Sequence, residues 1–325
     1  MHRRALLAAP ALLAPLLRHG SARAQQWSPD RPIRILVPYP PGAINDTLAR
    51  LIGEKMGDML GQLGVVENRP GASGSVAITA TAQAAPDGAT MVVANTANLT
   101  MNPFLFAHTG YDPQKDLTPL AVCARVMNAL VVPANSPYRT LADLVAAAKA
   151  APGKLSYASS GAGSSPHLAA ELFKYRTGTD IAHVPYRGSA PGLADLIAGR
   201  LEFFIDNIPN ALPHVEGGRL RALGVTGSER DPTMPDVPTF QEAGFPGYEV
   251  YVWFGFVGPA RLPAPIRDRL GDAIIRIATG PETAERIRRA GATVWTRNPA
   301  EFAVLIGEEL QKWGTVIRAA NLRLE

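Results

Sequence analysis

The sequence predicts an α/β protein built from two largely parallel sheets, each flanked by helices. Three observations predict it. Short apolar runs alternate with segments of helical period along the chain, the alternation that parallel sheets with covering helices require. Prolines stand at or near the start of each helical segment in the C-terminal third, where a missing N–H costs nothing. The length also exceeds one small core: removing a 24-residue leader from the 325 residues leaves 301, which favours two domains over one continuous sheet.

Taken in order, residues 1–24 form a secretory signal. His2-Arg3-Arg4 precedes an apolar run from Ala5 to Leu17, and Ala22-Arg23-Ala24 supplies a small-x-small cleavage pattern. The apolar run is too short to span a bilayer. No Ser precedes Arg3-Arg4, so a twin-arginine signal is weak, and no Cys follows the cleavage site to carry a lipid. The expected location is the periplasm. Arg3, Arg4, Arg18 and Arg23 all leave with the leader. The net charge of +4 therefore leaves with it, and 28 basic residues face 28 acidic ones. That balance excludes a basic nucleic-acid surface. Cys123 is the only cysteine, so the exported chain relies on its core rather than on disulfides.

Strands are expected at Ile33–Val37, Met91–Ala94, Ala129–Val132, Leu155–Tyr157, Ile181–Val184, Leu201–Ile205, Leu220–Val225 and Tyr251–Val257. Between them, Asp46–Gly61 carries Leu48, Leu51, Ile52, Met56, Met59 and Leu60 at helical spacing. Thr140-Leu-Ala-Asp143 resembles a capping box, with Asp in place of Glu, and Pro152-Gly153 ends its helix. Helices are also expected at Ser165–Arg176, Ala190–Ala198, Pro265–Ala278, Pro281–Ala290 and Pro299–Ala320. The apolar stretches at 119–132 and 248–257 are candidate crossovers. They divide the chain into a first domain of residues 25–125 plus 255–325 and an inserted second domain of residues 126–254. The C-terminal helices are expected on the first domain.

Two loops have the layout of an anion site. "YPPGAINDTLAR" (39–50) and "LSYASSGAGSSPHLAAELF" (155–173) each run from a strand through a Gly-rich turn into a helix. Such loops lie at the C-terminal edge of a parallel sheet, where free helix N–H groups and the helix dipole favour an anion. Familiar catalytic motifs fail. Gly161-Ala-Gly163-Ser-Ser-Pro166 lacks the third Gly of a dinucleotide fingerprint, no Gly-Lys-Ser/Thr occurs, and Ser75 replaces the last Gly of a nucleophile elbow at 71–75. No His pair has metal-ligand spacing, so neither metal nor cofactor is expected. Ser164, Ser165, His167 and Asp206 are the residue types of a serine hydrolase, but their spacing does not imply a relay. Asp206-Asn207 is either a turn or a polar contact at the same cleft edge. Tyr186 or Arg187, in the next strand-to-helix turn, is placed to reach the cleft. Trp253 and Phe254 are read as core. Asp46 serves the helix dipole, orients its turn, or meets a ligand amine.

Together with "VVENRPGASGSVA" (65–77), "HVPYRGSAPGLADLIAGRLEFFIDNIPNALPHVEGGRLRALGVT" (183–226) and "DVPTFQEAGFPGYEVYVWFGFVGPA" (236–260), these residues give the chain a specific likeness. It resembles the Bug-type substrate-binding receptors of tripartite tricarboxylate transporters across nearly its whole mature length. The resemblance implies a two-domain flytrap of the type II periplasmic binding class. It also implies a small carboxylate between the domains and a transporter with one large and one small membrane subunit as partner. A sensor that binds the same ligand for a membrane signalling protein is the alternative. A monomer is the default state. The implied ligand contacts are Tyr39, Pro41, Gly42, Ala43, Ile44, Asn45 and Asp46 from the first loop. Ser159, Gly161, Gly163, Ser164, Ser165 and His167 come from the second, and Thr96 and Asn98 from a third, joined by Tyr186, Asp206 and Asn207. Relatives commonly carry a second Gly and a small residue where this chain has Ala43 and Ile44. That departure suggests a pocket for an apolar or aromatic acid rather than a small hydroxylated one.

Overall fold

The computed structural model describes residues 27–324, so the leader and its cleavage after Ala24 lie outside the described residues. The chain runs β1 (Ile33–Val37), α1 (Ile44–Leu60), β2 (Gly64–Asn68), α2 (Ser75–Ala82) and β3 (Thr90–Asn95). A wide helical turn at Ala97–Met101 leads into α3 (Asn102–Leu105) and then β4 (Leu117–Pro133). Next come α4 (Leu141–Ala150), β5 (Ser156–Ser159), α5 (Ser165–Thr177), β6 (Ala182–Pro185), α6 (Ser189–Ile197), β7 (Phe203–Asn207), α7 (Ile208–Glu216) and β8 (Leu220–Val225). It closes with β9 (Tyr251–Pro259), α8 (Ala264–Thr279), α9 (Pro281–Arg289), β10 (Thr293–Arg297) and α10 (Pro299–Ala319).

The strand order is β2-β1-β3-β9-β4-β7-β5-β6, with β10 and β8 also paired to β4. Strand β4 belongs to both halves. Its residues 117–127 pair with β9, 128–131 with β7 and 129–133 with β8. Parallel pairing holds for β2-β1-β3 and for β6-β5-β7. The strands at the junction instead run antiparallel, because the chain crosses into the second half along β4 and returns along β9.

Each half-sheet is covered on both faces, as near-continuous apolar strands require. In the first half, Ile33, Ile35 and Val37 pack against Leu48, Ile52 and Met56 of α1 and Leu270 and Ile274 of α8. Leu36 on the other face packs toward Ala77 and Ile78 of α2 and Phe302 and Ile306 of α10. In the second half, α4 and α5 cover one face and α6 and α7 the other. The last helix does not stay on the first half. Its Trp313, Val316 and Ile317 join the core of Leu141, Leu168 and Phe173, so α10 ties the two halves together at their back.

Local signals explain the helix starts. Thr140 and Asp143 do form a reciprocal capping box, the shorter Asp still reaching the Thr140 N–H at 2.9 Å. Asn298 and Glu301 form another at α10. Strands β2 and β10 and helices α2 and α7 are additional to the sequence expectation. Val65 of β2 is exposed, and β10 is exposed at Thr293 and half-buried over the rest, so neither shows an apolar run. Helix α2 is rich in β-branched residues, and α7 contains Pro209 and Pro213.

Candidate functional site

The loops after β1 and β5 face each other across a cavity of about 390 Å³. The first contributes Tyr39, Ala43, Ile44 and Asn45, the second Ser160, Gly161, Ala162, Gly163, Ser164 and Ser165. Ser73, Asn95, Ala97, Asn102, Phe106, Asn207, Val252, Phe254 and Leu324 complete the wall. Two other grooves, of about 550 and 620 Å³, are larger, but neither loop lines them.

The first loop delivers an uncapped helix. Gly42 takes φ +88°, a conformation that a side chain disfavours, and the Ala43 N–H closes the turn on the Pro40 carbonyl. Ala43 is the N-cap of α1 and has no side-chain oxygen to offer. The first-turn N–H groups of Ile44, Asn45 and Asp46 therefore have no partner within the helix. Asp46 sits behind them, 4% exposed. Its carboxylate accepts from the Gly42 N–H (3.0 Å), from Arg50 (2.9 and 3.1 Å) and from Asn68 (2.9 Å). Burial pushes its pKa up, but the bonds from Arg50, Gly42 and Asn68 outweigh it and hold the group below its ordinary value. The paired Asp46 thus orients the turn. Tyr39 adds a donor: its hydroxyl accepts from Asn95 and Asn98 at 3.2 Å each, which leaves its own proton to give. Burial raises its pKa, against the two amides, and keeps that proton on.

The second loop delivers a capped helix on a neutral support. Ser164 is the N-cap of α5. Its hydroxyl accepts from the His167 N–H at 3.4 Å and donates to the Gly161 carbonyl at 2.7 Å. His167 Nδ1 accepts the Gly163 N–H at 3.0 Å, so its ring proton is on Nε2. The ring stacks on His183 with centroids 3.9 Å apart, and His183 pairs with Ser159 Oγ at 2.7 Å. Burial holds both imidazoles neutral, His167 down to about 3 and His183 to about 4. Nearby charge contributes: His183 and Lys174 lower the former, while Glu171 raises the latter.

Several expected contacts do not line the cavity and are bonded to the framework around it. Pro41 and Gly42 are exposed outside it. Asp46, His167 and Ser159 hold the loops as described. Buried Thr96 accepts from the Trp253 N–H and donates to the Tyr251 carbonyl, fixing β9. Buried Asn98 holds the Ser73 carbonyl and Tyr39. Tyr186 donates to Asp195. Asp206 accepts from Ser189, Asn210 and the Asn207 N–H on the far side of β7, and burial pushes it up to about 6. No relay joins Ser164, His167 and Asp206, because each is engaged elsewhere. Phe254 and Trp253 are both in the core as expected; Phe254 also lines the cleft, while Trp253 packs on Phe302. Asn95 directly precedes Thr96 of the third loop, whereas Ser73, Asn102, Phe106, Val252 and Leu324 are positions that no sequence pattern linked to the loops.

Among the described residues, no Asp, Glu, Lys, Arg or His lines this cavity. An anion there would be held by N–H dipoles, hydroxyls and amides, with Ile44, Phe106, Val252, Phe254 and Leu324 supplying apolar wall.

Residues 48–322 match the family described as tripartite tricarboxylate transporter family receptor. A Pseudomonas sp. protein from a tcbD-tcbE intergenic region is 38% identical over 97% of this chain and 94% of its own. Protein BugT of Bordetella pertussis is 35% identical over 91% of each chain. Among solved structures, R. palustris Rpa4515 with adipate is 36% identical with a TM-score of 0.75, covering 91% of this chain and 99% of its own. MatC from Rhodopseudomonas palustris with bound malate is 34% identical with a TM-score of 0.72, covering 89% and 99%.

Proposed function

The chain belongs to the tripartite tricarboxylate transporter receptor family of periplasmic solute-binding proteins, and from that premise we propose that it holds a small carboxylate in the cleft between its two halves. The observation that carries this reading is the meeting of two loop-to-helix turns across a cavity without a charged side chain. Free N–H groups at a helix start suit a carboxylate, and Tyr39 and Ser165 add hydroxyls. Rpa4515 with adipate and MatC with bound malate support the ligand class.

Each hydrogen bond to a charged group contributes roughly 1.5–3 kcal/mol. Three or four, less the costs of ordering and closure, give on the order of 8 kcal/mol, a micromolar affinity. The wall of Ile44, Phe106 and Phe254 favours an acid with an apolar or aromatic body. In this reading residues 25–125 with 255–325 and residues 126–254 close as two domains about β4 and β9. The closed monomer then delivers its ligand to the membrane subunits of a tripartite transporter, and binding rather than catalysis is its work. Isothermal titration against citrate, malate, adipate, benzoate, nicotinate and terephthalate tests the ligand class. Tighter binding of citrate and malate than of every other acid would reject the apolar-body reading, and no binding of any acid would reject the carboxylate reading itself.

A further inference from the structure

Asn128 lies within β4, the strand shared by both halves, and is 0% exposed. Its main chain is satisfied by Thr226, whose hydroxyl accepts the Asn128 N–H at 3.0 Å and whose N–H donates to the Asn128 carbonyl at 2.9 Å. Its side chain is not: neither Nδ2 nor Oδ1 has a partner among the described residues. Asn207 stands directly opposite in the antiparallel β4–β7 pair, a register that puts both side chains on one face with Cβ atoms about 5 Å apart. Asn207 lines the ligand cleft, and its buried Oδ1 also has no partner. Asp206 Oδ2 is likewise unpaired, but Asp206 alternates to the other face of β7 and is not part of this group.

Unpaired buried amides are costly, and an apolar residue would avoid the cost. A partner that arrives with the ligand accounts for their presence. The unpaired set is two acceptor oxygens and one NH₂ donor. A ligand hydroxyl donates to one of the oxygens and accepts from the NH₂, which leaves one oxygen to a second donor such as water. A carboxylate has no proton to give the oxygens, and a methyl group leaves all three atoms unpaired.

We propose that Asn128 and Asn207 form a second polar subsite that takes a neutral hydroxyl of the bound acid, beside the carboxylate grip. The ligand class is then an acid of largely apolar body carrying one hydroxyl. This rests on the carboxylate reading above and adds the group that selects among carboxylates.

Titration of the full mature protein with hexanoate, 2-hydroxyhexanoate, 6-hydroxyhexanoate and adipate tests it. The expected result is that one hydroxy acid binds about tenfold or more tightly than hexanoate, and that Asn128→Leu brings this ratio to near one. Asn128→Leu is expected to melt no lower than wild type without ligand, since it removes unpaired polar atoms. Asn207→Leu, at the less buried position, provides the same ratio should Asn128→Leu fail to fold. Hydroxy acids that bind no tighter than hexanoate to wild type would overturn the subsite, as would a ratio that survives the substitutions. Adipate binding best, with its advantage lost in Asn128→Leu, would overturn the hydroxyl assignment in favour of a second carboxylate. If wild type binds neither these four acids nor any of the wider panel above, the carboxylate reading falls and the subsite with it; if hexanoate binds without hydroxyl preference, only the subsite falls.

Discussion

The two loops that face the cleft are built alike in sequence and secured by opposite means. The loop before α1 is held by charge: Asp46, Arg50 and Asn68 clamp it from behind, while Ala43 leaves the helix start uncapped. The loop before α5 is held by neutral groups: Ser164 caps the helix, and two stacked, uncharged histidines fix Gly163 and Ser159. The difference teaches that a glycine-rich turn does not determine its own shape. What lies beneath it does, and the two supports respond to different perturbations.

The largest effect is expected from breaking the neutral support. His167→Ala leaves the Gly163 N–H without its acceptor and opens a cavity under the loop, so urea unfolding should show a loss of about 3 kcal/mol. A loss of a few tenths would mean that the histidine does not hold the loop.

Acid should separate the two supports next. Both imidazoles have folded pKa values, about 3 and about 4, below the ordinary 6.5. The unfolded chain therefore binds more protons between those values, and stability falls as pH drops from 6.5 towards 4, by about 3 kcal/mol for each imidazole. The Asp46 contribution, with its depressed pKa, is present above the ordinary carboxylate value and is lost only below it. Asp206, pushed up to about 6, has the opposite sign: the folded protein takes its proton first, which adds stability as pH falls from 6 to 4. Asp206→Asn should therefore steepen the acid loss in urea titrations at pH 7, 5.5 and 4, and a shallower curve would contradict the assignment.

The charged support should give less. Arg50 is half exposed, and exposed partners are screened, so Asp46→Asn is expected to cost about 1 kcal/mol in thermal or urea unfolding. That loss should shrink in high salt, unlike the loss from His167→Ala. The smallest effects separate two adjacent serines. Ser164→Ala removes an N-cap and should lower stability by about 1 kcal/mol. Ser165→Ala should leave the melting temperature unchanged and weaken carboxylate binding several-fold in calorimetry. Equal behaviour of the two would dissolve the distinction between cap and contact.

Much of this was legible in the residues. Buried strands such as Ile33–Val37 and Leu220–Val225 announce themselves as apolar runs, and the two loops follow strands and precede helices. Edge strand β2 was not legible, because half its surface faces solvent, nor was α7, whose two prolines argue against a helix. The supports were invisible for another reason: Asp46 meets Asn68, and His167 meets His183, only once the chain has folded. Leu324 closes the cleft from the far end of the chain, its N–H bonded to the Leu105 carbonyl at 2.7 Å. Asn128 left one readable trace, a lone amide in the otherwise apolar run "VMNALVV".

The account depends on both helix starts gripping one carboxylate, and ¹⁵N amide spectra recorded during titration with adipate test that directly. The account predicts that the amides of Ile44 and Asn45 and those of Ala162 and Ser165 shift together and saturate at the same ligand concentration. Shifts confined to one loop, or to residues outside this cleft, would contradict it.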